Sequence, residues 1–156
     1  MARVLLTNEE GTNFEKALNL IPHVKKLYDE LYDKLWNSDI VKRETKEKIR
    51  LYLAGVNGCE TCMSMSYVGD ETLNQKVLRE EDLEEKDRLL FRFIDVYRVR
   101  PRDLTDADMN QLKKFYSDTQ LLELLAVINL FDQFHKLIVS LDLYDFCSLQ
   151  RKRCLP

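Results

Sequence analysis

Residues 57–62 read Asn-Gly-Cys-Glu-Thr-Cys, a Cys-x-x-Cys pair that directly follows a dipeptide typical of helix ends. A helix that begins here would carry Cys59 and Cys62 on one face, with the two sulfurs within reach of a disulfide. The beginning of a helix also presents unpaired backbone N–H groups and the positive end of the helix dipole, and both stabilise a thiolate. We therefore predict that the two thiols carry out redox chemistry rather than crosslink the fold.

Helical periodicity precedes this stretch. Apolar residues recur every three or four positions over Pro22–Asn37 and again over residues 44–56, which predicts two helices. Pro22 suits an early helical position because its missing N–H costs nothing there. The helix that carries the Cys pair is predicted to continue through Val68 and to end at Gly69.

Further helices are predicted after the pair, over residues 72–79, 84–97 and 118–141. Thr105 and Ser117 each start a segment with a capping side chain and a partner three residues later. The first half of the last helix is apolar nearly all round, so it is either the central helix of the domain or an oligomer seam. The chain as a whole is predicted to be all-α. It forms one compact domain of about seven or eight helices over residues 1–146, with a tail at 147–156.

Composition excludes several functional classes. A net charge of −3, with residues 151–153 as the one evident basic run, gives no case for nucleic-acid binding. The longest apolar stretch, residues 121–130, is too short to span a bilayer and is interrupted by Glu123 and Asn129. Residues 1–10 lack the apolar run of a secretory signal. We expect a cytoplasmic protein without a membrane or nucleic-acid partner, in which thiols serve catalysis or metal binding before structural disulfides.

Residues 47–62, Glu-Lys-Ile-Arg-Leu-Tyr-Leu-Ala-Gly-Val-Asn-Gly-Cys-Glu-Thr-Cys, resemble the core of the alkylhydroperoxidase D-like, or carboxymuconolactone decarboxylase-like, superfamily. That core consists of a Glu, a Cys-x-x-Cys pair twelve positions later, and a His four positions after the pair. The resemblance extends to Ile21-Pro22 and to residues 117–124 and 131–137, which are similar to the family's closing helix. It implies an all-α protein that forms a homo-oligomer, a trimer or a hexamer.

The resemblance also implies a peroxidase. By position, Cys62 attacks the hydroperoxide, Cys59 resolves the intermediate to a disulfide, and Glu47 is the carboxylate of a proton relay. A dithiol or a protein reductant then restores the pair, and no metal or organic cofactor is implied. The family's relay His is replaced by Ser66, whose hydroxyl cannot act as acid and base near pH 7 as imidazole does. The predicted catalytic residues are therefore Cys62, Cys59, Glu47 and Ser66.

Other interpretations of the relay residues remain open. Glu47 lies in a charged run, residues 44–48, that is also typical of a solvated helix start. If the helices on either side of residues 57–58 fold back on each other, Glu47 and Ser66 would nearly face one another beside the Cys pair. His135, in the last helix, is either a structural group or a replacement for the missing relay His.

Metal binding is disfavoured by spacing. A structural zinc site needs four ligands, and the further candidates are not closely spaced from the pair; they are His23, His135, Cys147 and Cys154. Cys147 and Cys154 lie in the basic tail, where bystander thiols are favoured over a third redox thiol.

The predicted function is a thiol-dependent peroxidase that reduces alkyl hydroperoxides through Cys59 and Cys62. One alternative is a thiol–disulfide reductase or redox adaptor, which the missing His favours because disulfide exchange needs less acid catalysis. Another is a non-catalytic member of the fold, kept for assembly or binding. A decarboxylase of small lactones is the weakest alternative, since it leaves the Cys pair unexplained.

Overall fold

Seven α-helices and two short 3₁₀ turns make up a computed structural model that describes residues 1–70, 73, 77 and 79–145. This part of the chain contains no strand, in agreement with the predicted all-α class. The helices are α1 (Asn13–Leu18), α2 (Pro22–Asn37), α3 (Arg43–Val56), α4 (Glu60–Ser64), α5 (Glu85–Val99), α6 (Asp106–Leu112) and α7 (Asp118–Ser140). The 3₁₀ turns are Glu80–Asp82 and Pro101–Asp103.

The predicted helix starts are confirmed by their caps. The side chains of Thr105 and Ser117 each accept a hydrogen bond from the N–H of the third residue of the helix that follows, and that residue's side chain accepts one from the N–H of the cap residue. A third capping box at Thr12 and Glu15 starts α1, which the sequence reasoning did not predict. Pro22 opens α2, as expected.

The central element is α7, which packs against both α3 and α2. Its buried side chains lie on more than one face, among them Leu124, Ile128 and Phe131, and α3 contributes Ile49 and Leu53 to the same core. The prediction of a central helix is confirmed in this respect. The apolar surface is not fully covered, because Leu122 on the same helix is 70% exposed. Within the described residues, no helix has the length and hydrophobicity to cross a membrane.

The helix that carries the Cys pair is shorter than predicted. It ends at Ser64 rather than continuing through Val68, and Met65 is already extended, with φ −98° and ψ 141°. The physical reason is a side chain of α3: the Arg50 guanidinium donates hydrogen bonds to the carbonyls of Cys62 and Met65. Those carbonyls are therefore satisfied without a further helical turn.

Some sequence predictions fall outside the described residues. The short helix predicted over residues 72–79 is described only at positions 73, 77 and 79. Cys147 and Cys154, with the whole tail at 147–156, also lie outside the described residues.

Candidate redox site

The two cysteines form a disulfide, with Cα atoms 5.2 Å apart. Cys59 is the N-cap residue of α4 and Cys62 lies in its first turn. Their surroundings differ: Cys59 is 0% exposed, whereas Cys62 is 7% exposed and lines a cavity. A small molecule in that cavity would therefore contact Cys62.

The loop that leads into the Cys pair is fixed by hydrogen bonds to three helices, α3, α5 and α7. Gly58 has φ +68°, a left-handed conformation that L side chains rarely adopt, and it lets the Cys59 N–H donate to the Ala54 carbonyl at the end of α3. The amide of Asn57 donates to Asp132 on α7 and accepts from Arg98 on α5. The Asn-Gly dipeptide thus ends α3 as predicted and fixes the position of Cys59.

The cavity beside Cys62 has a volume of about 280 Å³. Most of its wall is apolar or aromatic, and its polar groups include His135 and an ion pair at 2.6 Å between Lys25 and Asp29 on α2. The other lining residues are Thr12, Phe14, Glu15, Leu18, Tyr32, Tyr67, Phe131, Phe134 and Ile138. Helix α1 forms part of the wall, and the chain around it is tied to the end of α7: Arg3 bonds to the carbonyls of Leu141 and Ser140.

Glu47 is fully buried and its carboxylate is saturated with donors. Its Oε2 accepts from Arg50 Nε at 2.7 Å, its Oε1 accepts from Arg50 Nη2 at 2.7 Å, and the Tyr67 N–H donates to Oε1 at 2.9 Å. Bidentate charge-assisted bonds of this kind are among the stronger hydrogen bonds in proteins. Glu47 is therefore not a residue of a solvated helix start, which was the alternative interpretation.

Arg50 is the functional residue that sequence reasoning missed. Besides Glu47, it binds the carbonyl of Cys62 at 2.7 Å and that of Met65 at 2.5 Å, and its guanidinium stacks 4.1 Å from the centre of the Tyr67 ring. It is 1% exposed. The signal in the sequence was a cation three residues after Glu47, on the same face of α3 as the predicted relay carboxylate.

Ser66 lies beyond the end of α4, so it is not the helical neighbour of Cys62 that was expected. Its Oγ is buried and has no hydrogen-bond partner among the described residues. Neither Ser66 nor Glu47 is among the residues that line the cavity at Cys62. Glu47 is nevertheless bonded to the segment that contains Ser66, because its carboxylate accepts a hydrogen bond from the N–H of Tyr67, the next residue in the chain.

His135 shares the cavity with Cys62 although 73 residues separate them in the sequence. The residue is 3% exposed, and its ring centre lies 6.1 Å from that of Phe131, with the two planes inclined by 27°. Nδ1 is buried and has no hydrogen-bond partner in the described part of the chain. Burial lowers the pKa of His135 to about 4, with a further lowering by Arg50, so the imidazole is neutral at pH 7.

Tyr32 adds a phenol to the same wall. Burial, and next the neighbouring Tyr67, raise the pKa of Tyr32 to about 12. The Tyr32 hydroxyl therefore stays protonated across the physiological range and can donate a hydrogen bond into the cavity.

Metal ligands do not cluster in the described chain: over residues 1–70, 73, 77 and 79–145, no three His, Cys, Asp or Glu side chains are placed to hold an ion. The arrangement at Cys62 instead combines a thiol pair, a neutral imidazole and phenols around an apolar cavity. These groups can transfer electrons through sulfur and protons through nitrogen and oxygen.

Solved structures with the same fold exist at low sequence identity. A peroxidase-related protein from Silicibacter sp. TM1040 is 15% identical with a TM-score of 0.70, over 92% of this chain and 91% of that one. An alkylhydroperoxidase AhpD core protein from Ralstonia eutropha JMP134, also peroxidase-related, is 15% identical with a TM-score of 0.73, over 85% and 76%. A protein of unknown function from Agrobacterium tumefaciens, whose proposed role is antioxidant defence as an AhpD protein, is 16% identical with a TM-score of 0.72, over 91% and 96%.

Sequence comparison gives no match: no protein-family model and no curated protein matches this chain. The structural likeness covers nearly the whole chain, and it agrees with the family resemblance of residues 47–62. The chain has the all-helical fold of the alkylhydroperoxidase D-like proteins.

Proposed function

We propose that the protein is a thiol peroxidase that reduces organic hydroperoxides through Cys62 and Cys59. The observation that carries the proposal is the difference between the two sulfurs, since Cys62 lines the 280 Å³ cavity and Cys59 is fully buried behind it. An attacking thiol must meet the substrate, and a resolving thiol needs only to reach its partner. The pair is within disulfide distance, as the bond between the two sulfurs shows.

The proposed reaction has two steps. The Cys62 thiol attacks the distal oxygen of a hydroperoxide, so that a sulfur–oxygen bond forms, the O–O bond breaks, and a sulfenic acid and an alcohol result. Cys59 then displaces water from the sulfenic acid and forms the disulfide. A dithiol or a protein reductant, in a reducing compartment such as the cytoplasm, returns the pair to two thiols by exchange.

The cavity favours a small substrate over a protein disulfide. Cys62 is 7% exposed and its cavity is walled by side chains such as Phe134 and Ile138, which suit the apolar body of an organic hydroperoxide. A protein disulfide would have to reach Cys62 in the same cavity, whose wall also includes the ion pair of Lys25 and Asp29. We therefore place the thiol–disulfide reductase or redox adaptor second.

The hydrogen bonds of Glu47 and the burial of Ser66 limit the roles that these two residues can have in proton transfer. Glu47 accepts three hydrogen bonds and holds Arg50, so a part in proton relay would require it to exchange one of those bonds. Ser66 offers a buried hydroxyl that could bind a relay water. The homo-oligomer that the family resemblance implies, a trimer or hexamer, stays a prediction, which light scattering of the purified protein tests.

The test is a single-turnover reaction. Reduced protein is mixed with one equivalent of tert-butyl hydroperoxide, and thiol loss is followed in time while the product is mapped by mass spectrometry. We expect a Cys59–Cys62 disulfide, a trapped sulfenic acid at Cys62 in Cys59→Ser, and no fast reaction in Cys62→Ser. A wild-type rate no higher than that of a free thiol would overturn the proposal.

A further inference from the structure

The proposed peroxidase lacks an obvious acid at the position where the family resemblance places a His. Ser66 occupies that position, and its hydroxyl does not line the cavity where Cys62 lies. Cleavage of an O–O bond releases an alkoxide, a strong base whose departure is accelerated when a proton reaches it in the transition state. A proton donor must therefore come from elsewhere in the fold.

His135 is the titratable side chain whose ring reaches the cavity from α7. Its pKa is lowered by burial, so the ring is neutral at pH 7 and one of its nitrogens bears a lone pair. Nδ1 is buried, and within the described residues it has no hydrogen-bond partner. A buried ring nitrogen without a partner costs free energy, so its presence in the wall of the Cys62 cavity requires an explanation.

We propose that His135 is the proton carrier of the peroxide step, with Nδ1 taking the thiol proton of Cys62 and delivering it to the departing alkoxide oxygen. The inference rests on the proposed function. The overall step is balanced: the Cys62 thiol and ROOH give the Cys62 sulfenic acid and ROH. Sulfur is oxidised, the peroxide oxygens are reduced, and the thiol proton ends on the alcohol.

The charges around His135 suit this role. The charges that act on the ring are those of Arg50 on α3, Arg98 on α5 and Asp132 on its own helix, and Asp132 is already bonded to Arg98 and Lys136. A ring in this setting does not keep a proton at rest. Once protonated by the thiol, it is a strong acid that gives the proton up readily to an alkoxide.

The other titratable side chains of the cavity are less suited to carry this proton. Lys25 and Asp29 bind each other, and the Glu15 carboxylate accepts from the N–H and the hydroxyl of Thr12, which lower its pKa. The pKa values of Tyr32 and Tyr67 are raised, which makes their phenols weaker acids than an imidazolium. Tyr32 can donate a hydrogen bond to the substrate, but it has no ready means of taking the thiol proton first. His135 is therefore the group that can both accept and deliver the proton.

The experiment separates proton delivery from structure by changing the leaving group. His135→Gln keeps a polar side chain with an amide but cannot carry a proton, and His135→Asn is the second variant should the first fold poorly. Each is compared with wild type and with His23→Gln, which changes the exposed histidine of α2. Two oxidants are used: tert-butyl hydroperoxide, which leaves as a strongly basic alkoxide, and peracetic acid, which leaves as acetate and needs no proton.

We expect the His135 variants to lose about 100-fold or more in rate with tert-butyl hydroperoxide, the usual size of a general acid–base contribution, and to lose clearly less with peracetic acid, where only the uptake of the thiol proton is affected. His23→Gln should match wild type with both. Equal losses with both oxidants would show that His135 delivers no proton to the leaving group, and no loss with either would show no role; each overturns the inference. Failure of the proposed function gives a separate result, namely a wild type that reacts with neither oxidant faster than a free thiol.

Discussion

Arg50 and Glu47 form a bidentate ion pair in which both side chains are almost fully buried, with two N–O distances of 2.7 Å. The same guanidinium reaches across to the carbonyls of Cys62 and Met65. One ion pair on α3 therefore fixes where the short helix with the Cys pair ends. The position of Cys62 in its cavity depends on a contact made twelve residues earlier in the chain.

Arg50→Met should destabilise the protein by about 3–5 kcal/mol, because it leaves the buried carboxylate of Glu47 without a counter-charge. Urea unfolding of the reduced protein measures the change in the free energy of unfolding. Arg102→Met, on the exposed turn Pro101–Asp103, is the control and should stay within about 0.5 kcal/mol of wild type. The double variant Glu47→Leu/Arg50→Met should be more stable than Arg50→Met alone. A loss in Arg50→Met no larger than in the control would contradict this account of α4.

Stability should depend on pH through His135. Its pKa in the folded protein is lowered to about 4, whereas in the unfolded chain it is near its ordinary value of about 6.5. The unfolded state then binds the proton first as the pH falls, so the free energy of unfolding decreases between about pH 6.5 and 4. The full contribution is about 3 kcal/mol, and above about pH 7.5 it vanishes.

The measurement is urea unfolding at several pH values in wild type and His135→Gln. Carboxylates also titrate near the acid end of this range, so the informative quantity is the difference between the two proteins. As the pH falls, the free energy of unfolding should decrease less in His135→Gln than in wild type. His23→Gln should keep the wild-type pH dependence, and parallel curves for wild type and His135→Gln would rule out the lowered pKa.

Ser66→Ala should be neutral or stabilising by up to about 1 kcal/mol, because the variant removes a buried hydroxyl without a partner in the described residues. Turnover of tert-butyl hydroperoxide should stay close to wild type if His135 carries the proton. Thermal unfolding and the single-turnover assay check the two parts independently. A large fall in turnover without a fall in stability would instead assign the proton relay to Ser66 or to a water that it binds.

Local signals were enough to predict most helices. Capping side chains at Thr105 and Ser117 and the Asn-Gly dipeptide at residues 57–58 each act within a few residues, so the chain itself reports them. The capping box of Thr12 and Glu15 follows the same pattern, a hydroxyl residue with a partner three positions later, and was not predicted. The Cys pair and its capacity to form a disulfide also follow from spacing alone.

Contacts between distant elements account for what was missed. The end of α4 depends on Arg50 of α3, and the approach of His135 to Cys62 depends on how α7 packs across α3 and α2. No sequence pattern within ten residues of these positions indicates either contact. The sequence could offer His135 as one of two histidines, but its burial and its unpartnered Nδ1 follow only from the assembled fold.

Substitution of Lys46 should also lower the free energy of unfolding strongly. Its ammonium is fully buried and binds Glu123 of α7 at 2.9 Å, together with the carbonyls of Leu35 at 2.5 Å and Ser38 at 2.7 Å. These bonds join the end of α2, the start of α3 and the start of α7. Lys46→Met should therefore cost about 3–5 kcal/mol, because it leaves the buried Glu123 carboxylate without its counter-charge and two carbonyls without this donor.

A double-mutant cycle tests this pair. Lys46→Met and Glu123→Leu are measured singly and together by urea unfolding, with Lys42→Met, an exposed lysine at the start of α3, as the control. Because each single change leaves the other charge buried and unpaired, the double variant should lose less than the sum of the single losses. Strictly additive losses would show that Lys46 and Glu123 do not interact in solution, and a loss in Lys46→Met as small as in Lys42→Met would show that the ammonium is not buried.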